Sequence, residues 1–301
     1  MHPAPSIILF TVLSGMGFGL LIWLGLGVPE VSGWMAFGAF GLGYGLALVG
    51  LMASTLHLGH PERALKAFSQ WRSSWLSREA VASVAALVVM APFAFWRVFL
   101  VPSGVEGLEW LRWVGALGGV LSLLTVLCTS MIYAQLKTVP RWNMVLVPVL
   151  FCLFSIAGGA VVFAPLAGTH WSTVVMLLVL TALQWGYWRL GDRRFAAAGH
   201  SMETATGLGG IGSVRLLESP HSGTNYLLRE MAFQVGRKHQ RRLRLIASVM
   251  VGVVPVLLLV AVPFWWAGLV ALSVHLVGLL ASRWLFFAEA EHVVGLYYGK
   301  R

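Results

Sequence analysis

Long runs without a charged residue alternate with short polar segments along the whole chain. Residues 1–29, 31–61, 142–188 and 245–282 contain no Asp, Glu, Lys or Arg. A helix needs about 20 apolar residues to cross the hydrocarbon core of a membrane, so each run holds one crossing or two. The runs are apolar on every side, whereas the strands of a membrane barrel alternate apolar and polar residues. The pattern therefore predicts transmembrane helices.

The lengths of the runs predict eight helices. The two longest runs must fold back on themselves, at residues 165–168 and 263–266, where proline interrupts the apolar sequence. We expect one all-α integral membrane domain over residues 1–301, a polytopic bundle with a large loop, 189–244, between helices six and seven. The predicted spans are residues 5–27, 33–58, 78–100 and 110–135, followed by two spans within 142–188 and two within 245–282.

The composition supports a membrane protein and excludes other classes. Hydrophobic residues make up 58% of the chain and charged residues only 11%. Soluble domains carry about 25% charged residues, so a soluble enzyme of this composition could not cover its surface. Intrinsic disorder requires the opposite balance of apolar and charged residues, and two cysteines are too few for a disulfide scaffold.

The cations predict which way the chain crosses the membrane. With eight spans, both termini and the loops 59–77, 136–143 and 189–244 share one side, which carries 18 of the 21 Lys and Arg residues. Cytoplasmic loops of membrane proteins are rich in Lys and Arg, so we place that side, and both termini, in the cytoplasm. The same rule accounts for the net charge of +10 without a nucleic-acid partner.

A histidine and a glutamate are predicted to approach each other at the cytoplasmic edge of the membrane. His57 lies near the end of the second span, and Glu79 follows Ser77, the expected N-cap of the third. Such a pair could exchange protons with a quinone head group, because histidine titrates near neutral pH and a carboxylate can relay a proton. The same two residues could instead only complete the helix ends.

Arg283 is predicted to lie inside the eighth span, followed by aromatic residues at 284, 286 and 287. An arginine within the hydrocarbon needs an anionic or carbonyl partner, and Glu79 or a quinone carbonyl would serve. Alternatively, its long side chain could reach the polar edge of the membrane.

The loop 189–244 holds two further features. Gly207–Gly212 fits the spacing of a dinucleotide-binding glycine motif, but no strand precedes it, so we interpret it as a flexible contact loop. The end of the loop is a basic segment that anionic membrane lipids or an acidic partner protein could hold, and we expect it to dock a partner. Its cations are Arg237, Lys238, Arg241, Arg242 and Arg244.

Neither haem nor a metal ion is expected in this chain. Haem would need axial ligands on facing helices, and the histidines within the spans, His57 and His275, form no obvious pair. Cys128 and Cys152 are too few for an iron–sulfur cluster, which needs about four ligands at motif spacing. No residue of the chain is predicted to be catalytic.

The order of several short motifs resembles the DmsC family, the membrane anchor subunits of dimethyl sulfoxide reductases. The loop around Ser219–Leu228 resembles the branch of this family that serves cytoplasmic sulfite-oxidising molybdoenzyme complexes. The matching motifs are His57-Leu58-Gly59, Pro61, Arg63-Ala64, Leu76-Ser77, Glu79, Tyr133, Thr138-Val139-Pro140, Trp142, Pro148, Gly158-Gly159, Arg283 and Phe286-Phe287.

The resemblance implies a non-catalytic subunit of a respiratory oxidoreductase complex of the anaerobic type in the bacterial inner membrane. The implied partners, an iron–sulfur subunit and a molybdopterin catalytic subunit, hold the clusters and the molybdopterin. A quinone or quinol, either menaquinone or ubiquinone, would exchange electrons with this complex for sulfite oxidation or sulfoxide reduction. The expected quinone-binding residues are His57, Glu79, Arg63 and Arg283.

Two alternative functions remain open. The chain could be a haem-bearing subunit of a quinone oxidoreductase, or a passive anchor without a quinone site. A secondary transporter would show paired broken helices near the middle of the membrane, and the sequence has no such pattern.

Overall fold

The computed structural model describes residues 2–55, 60–167, 171–218, 223, 231, 239–262 and 265–298. Eight helices in this part of the chain are long and apolar enough to cross a membrane. In chain order they are α1 Pro5–Gly25, α2 Gly33–Thr55, α3 Trp75–Phe95, α4 Leu111–Ala134, α5 Leu146–Ala167, α6 Trp171–Ala197, α7 Gln240–Ala261 and α8 Trp265–Ala288.

The prediction of an all-α polytopic membrane protein is confirmed. Every predicted span corresponds to one of the eight helices, and the described residues contain no strand. The turns between α5 and α6 and between α7 and α8 fall where proline interrupts the apolar runs, with Pro165 in the last turn of α5. A proline removes a backbone donor and cannot continue a regular helix, so it favours an ending there.

The polar connection between α6 and α7 is shorter than the predicted loop 189–244. At its end, α6 keeps Phe195 buried against the bundle while Arg193 and Arg194 point outwards. The next helix already begins at Gln240, before the charge-free run that starts at residue 245. A helix can leave the hydrocarbon with one face still packed, and a count of uncharged residues misses such ends.

The centre of the bundle is α1, which packs against α2, α4 and α5. Small residues allow these helices to approach closely: a side chain at Gly19 would collide with the Ser155 backbone on α5. The Ser155 hydroxyl donates to the carbonyl oxygen of Gly15 at 2.5 Å. Lipid provides no hydrophobic drive between helices, so close packing and hydrogen bonds of this kind hold the bundle together.

The helix ends define two faces of the membrane domain. We call the first the Glu79 face; it contains residues 60–74, residues 135–145, the α6–α7 connection and the segment after α8. The second, the opposite face, contains residues 26–32 and 101–110. The Glu79 face is the one that the cation count predicts to be cytoplasmic.

An ion-paired arginine organises the opposite face. The buried guanidinium of Arg97 donates to a backbone carbonyl of the α1–α2 connection at 2.6 Å and pairs with Glu30 at 3.0 Å. Arg112, at the start of α4, pairs with the same carboxylate at 3.2 Å. These contacts join the α1–α2 connection, the segment after α3 and the start of α4 beside an open cleft of about 700 Å³.

Candidate functional site

Glu79 lies inside the second turn of α3 and is only 4% exposed. The expectation that Ser77 caps this helix is wrong, because the helix begins at Trp75, earlier than the predicted boundary. The cap is Ser74, whose hydroxyl accepts a hydrogen bond from the Ser77 backbone N–H at 3.4 Å. The earlier start carries Glu79 away from the helix end and into the packed bundle.

The hydrogen-bonding partner of Glu79 is Thr129 on α4. The Thr129 hydroxyl oxygen lies 2.5 Å from Glu79 Oε1 and 3.1 Å from the carbonyl oxygen of Thr125. The neighbouring Arg78 turns outwards and donates to two backbone carbonyl oxygens of the preceding connection. Among the described residues, no cation forms an ion pair with Glu79.

The other residues of the predicted quinone site are distributed differently. His57 lies outside the described residues, so its approach to Glu79 stays a prediction. Arg63 is exposed on a short 3₁₀ helix, Pro61–Phe68, where its Nε lies 3.9 Å from a carboxylate oxygen of Glu62. Arg283 is buried in α8 and forms no ion pair with Glu79.

Arg283 lies against aromatic rings rather than a carboxylate. Its guanidinium carbon is 3.6 Å from the ring centroid of Phe151 and 5.0 Å from that of Phe154. None of the carboxylates in the described ranges pairs with this side chain, which is 5% exposed. Contact with aromatic faces stabilises a cation but does not compensate its charge.

Tyr133 connects the surroundings of Glu79 with those of Arg283. It lies one turn after Thr129 on α4, and its ring packs against Phe151 and Phe286, the same rings that the Arg283 guanidinium faces. Tyr133 therefore lies between the surroundings of Glu79 and those of Arg283, which form no ion pair with each other. The ring of Tyr133 also joins an aromatic cluster with Trp142, Phe151, Phe286 and Phe287.

Four charged residues form a closed ring at the Glu79 face, which we call the charge ring: Arg141, Asp192, Arg244 and Glu289. Arg141 donates to Asp192 at 2.7 Å and to Glu289 at 3.0 Å. Arg244 makes two hydrogen bonds to each of the same carboxylates, at 2.6–2.9 Å. The two positive and two negative charges balance, and they tie together α6, α7, the end of α8 and the α4–α5 connection.

Sequence reasoning missed the charge ring as a unit. From the sequence, Arg141 is only one of the cations of a cytoplasmic loop, and no role is predicted for Asp192 or Glu289. One signal was present: Asp192 is the only acidic residue between Glu109 and Glu203, in a region with many cations. An isolated carboxylate at a membrane edge indicates an ion pair.

The cations predicted to dock a partner separate into three groups. Arg241 and Arg242, in the first turn of α7, are exposed. Arg244 does not lie on that surface, because its guanidinium is buried and all its hydrogen bonds go to the charge ring. Arg237 and Lys238 lie outside the described residues, so their role stays a prediction.

His275 is fully buried in the middle of α8. Its Nδ1 lies 2.7 Å from the carbonyl oxygen of Val251 on α7, and its Nε2 has no hydrogen-bond partner in the described part of the protein. A Cβ added at Gly158 on α5 would lie 3.9 Å from that nitrogen. The expectation that the chain holds no haem stays a prediction. Across the described ranges, no three His, Cys, Asp or Glu side chains are grouped as a metal site.

The fold and the buried charges define a class of protein, a polytopic membrane bundle that holds ionisable side chains near one face. The chain belongs to the DMSO reductase anchor subunit (DmsC) family, which it matches over residues 1–299. One subunit of the sulfite dehydrogenase of Allochromatium vinosum is 32% identical to it over 325 aligned residues, which cover 99% of each chain. No solved structure matches this chain. The family predicted from the sequence motifs is therefore confirmed.

Proposed function

We propose that this subunit anchors an oxidoreductase complex in the bacterial inner membrane and passes electrons between the quinone pool and an iron–sulfur partner subunit. The complex also contains a molybdopterin catalytic subunit, which acts on the substrate. The Allochromatium relative is a sulfite dehydrogenase subunit, which supports sulfite oxidation over sulfoxide reduction.

The observation that carries the quinone site is the burial of Glu79 without a cation. Burying an ionised carboxylate is costly unless a cation or several hydrogen bonds compensate it. Thr129 has a single hydroxyl proton but lies within reach of two acceptor oxygens, one on Glu79 and one on Thr125. When Glu79 carries a proton, it donates to Thr129, which then donates to Thr125, and both contacts are satisfied at once. This position suits a carboxyl group that takes up and releases protons.

The chemistry of quinone requires such a group. Reduction of a quinone to a quinol consumes two electrons and two protons, and the hydrocarbon interior supplies no protons. Glu79, together with His57 near the end of the predicted second span, would provide the path to water at the Glu79 face. Arg63 and Arg283 would stabilise the negative charge that develops on the quinone oxygens. Arg283 would do so without direct contact, across Tyr133.

We assign the Glu79 face to the cytoplasm, with both termini on that side, because cytoplasmic loops are rich in Lys and Arg. The iron–sulfur subunit would then bind at this face, close to the quinone. The exposed Arg241 and Arg242 offer a basic surface at the start of α7 for an acidic partner. Arg237 and Lys238, which precede this helix in the sequence, are further predicted contacts of that partner.

Replacement of Glu79 tests the proposal. In the assembled complex, Glu79→Gln should abolish quinone-linked turnover while the rate with a soluble artificial electron acceptor stays at the wild-type level. Thr129→Val should lower quinone-linked turnover partially, because the carboxyl group remains. The matched control is Glu109→Gln, since Glu109 is an exposed carboxylate on the opposite face. Full quinone-linked rates in Glu79→Gln would indicate a passive anchor or a quinone site elsewhere.

A further inference from the structure

A group of buried polar side chains lies between α5, α6 and α8, and only Arg283 among them belongs to the proposed quinone site. Gln184 and Tyr187 come from α6, one turn apart, and Ser282 and Arg283 come from α8; we call these four the Arg283 cluster. Each is less than a tenth exposed. Their hydrogen bonds are incomplete, although they lie in the interior of the bundle.

The amide of Gln184 makes only part of its possible hydrogen bonds. Its Nε2 donates to the Ser282 hydroxyl oxygen at 2.8 Å, while its Oε1 has no partner in the described structure. The Tyr187 hydroxyl is also buried without a partner among the described residues. Arg283 adds guanidinium donors that meet aromatic rings and no carboxylate. The cluster therefore offers one free acceptor, a set of free donors, and a hydroxyl that can act as either.

Gln184, Tyr187 and Arg283 line the same small cavity, which has a volume of about 20 Å³. A water molecule needs a space of about 10–15 Å³ and two to four polar partners. The remaining walls are apolar or aromatic and include Leu150, Phe151 and Phe286. The cavity has room for one water molecule, whereas a quinone ring is far too large for it.

We propose that this cavity is a hydration site in which one buried water molecule joins Arg283, Tyr187 and Gln184. The water accepts a hydrogen bond from the Arg283 guanidinium and donates one to Gln184 Oε1. The Tyr187 hydroxyl completes its shell as donor or acceptor. Water both donates and accepts, as this mixed set of groups requires, whereas an anion such as chloride could not satisfy Gln184 Oε1.

A second small cavity, which Arg283 also lines, provides an internal comparison. It has a volume of about 10 Å³ and is lined by Thr11 and Ser155. Both hydroxyls there already donate to backbone carbonyl oxygens of α1. Because no polar group in this lining lacks a partner besides Arg283 itself, we expect this second cavity to stay dry.

Hydration explains how Arg283 remains charged inside the bundle. A buried polar group left without a hydrogen bond costs more free energy than the immobilisation of one water molecule. The water stabilises the guanidinium without adding a negative charge, so the positive charge still acts on the surroundings of Tyr133, whose ring packs on the same Phe151 and Phe286. This last consequence rests on the proposed quinone function, whereas the hydration site itself does not.

X-ray radiolytic footprinting of the intact complex tests the hydration site directly. Bound water is split by the X-rays into hydroxyl radicals, which modify a side chain beside it even when that side chain is buried. We expect Tyr187 to be hydroxylated and to acquire ¹⁸O when the complex is equilibrated in H₂¹⁸O. Trp142 is the control, because it is 2% exposed and its Nε1 donates directly to the Phe286 carbonyl oxygen. Trp142 should remain unmodified.

Two variants complete the experiment. Gln184→Met removes the free acceptor and fills the cavity, so it should abolish the labelling of Tyr187. Thr11→Val changes the second cavity and should leave that labelling unchanged. Absence of label on Tyr187 in the wild-type complex would overturn the proposal without reference to any variant. Undiminished label in folded Gln184→Met would overturn it as well. Neither readout depends on quinone turnover, so failure here is distinct from failure of the proposed function.

Discussion

The charge ring and the Arg283 cluster both hold buried arginines at the same face of the bundle. The positive charge is neutralised by carboxylates in the first and not in the second. In the charge ring, Arg141 and Arg244 meet two carboxylates through six hydrogen bonds of 2.6–3.0 Å. Arg283, by contrast, meets aromatic rings, and none of the described carboxylates pairs with it. The first arrangement is neutral, and the second keeps a net positive charge.

The difference separates a structural role from a functional one. A ring in which every charge is paired has no capacity left for a ligand, but it fixes the relative positions of the helix ends that it joins. A buried cation without a counter-charge is expensive to maintain, and ionisable groups at membrane depth usually mark functional sites. Removing each arginine should therefore affect different properties of the protein.

The largest effect is expected from Arg244→Met. This variant leaves Asp192 and the buried Glu289 with only one guanidinium between them. Breaking a buried ion pair by removing one partner costs about 3–5 kcal/mol, because the remaining charge stays buried without compensation. Thermal unfolding of the purified protein in detergent measures this loss, and size-exclusion chromatography measures the fraction that remains folded.

The matched control for this loss is Arg242→Met, two residues earlier on the exposed side of the same helix. Equal stability of the two variants would contradict a structural role for the charge ring. Combining Arg244→Met with Asp192→Asn removes one charge of each sign. The double variant should recover about 0.5–3 kcal/mol relative to the sum of the single losses, as expected for residues in direct contact.

The spans could be predicted from sequence because the thickness of the hydrocarbon sets the length of each apolar run. The predicted second span, 33–58, and fourth span, 110–135, agree with the observed helices within a few residues. The helix ends that leave the hydrocarbon were less predictable, as the extension of α6 to Ala197 shows. There, packing of one face against neighbouring elements decides whether the helix continues.

The polar contacts between helices were largely beyond sequence reasoning. Arg141 and Glu289 are 148 residues apart, and only the packing of the helices brings them together. Arg244 looked like its neighbours Arg241 and Arg242 until the buried side of α7 was known. The spacing of Arg244 from the small residues Ala247 and Ser248 carried that information, because all three lie on one helical face.

The same substitution in the Arg283 cluster should have a much smaller effect on stability. Arg283→Met leaves no carboxylate without its ion-pair partner, so the free energy of unfolding should change by less than about 1 kcal/mol. Its quinone-linked turnover should fall about tenfold, which corresponds to about 1.4 kcal/mol in the activation barrier. Turnover with a soluble electron acceptor should not change.

The control for this prediction is Arg283→Lys, which keeps the positive charge and should retain more quinone-linked turnover than Arg283→Met. A large loss of stability in Arg283→Met would make the two regions alike and assign Arg283 a structural role. Unchanged quinone-linked turnover in that variant would show that its charge does not act on the quinone.

The smallest effect is expected from Tyr187→Phe. The sign of the change in the free energy of unfolding shows whether the Arg283 cluster holds a water molecule or is dry. If the hydroxyl binds a buried water, its removal deletes one hydrogen bond and should lower the free energy of unfolding by about 1 kcal/mol. If the cavity is dry, the change removes a buried polar group without a partner, and the protein should become more stable. Tyr44→Phe is the matched control, because the Tyr44 hydroxyl donates directly to the Leu87 carbonyl oxygen at 2.7 Å. Thermal unfolding of both variants in the same detergent should give losses of the same sign, and a gain for Tyr187→Phe alone would rule out the water.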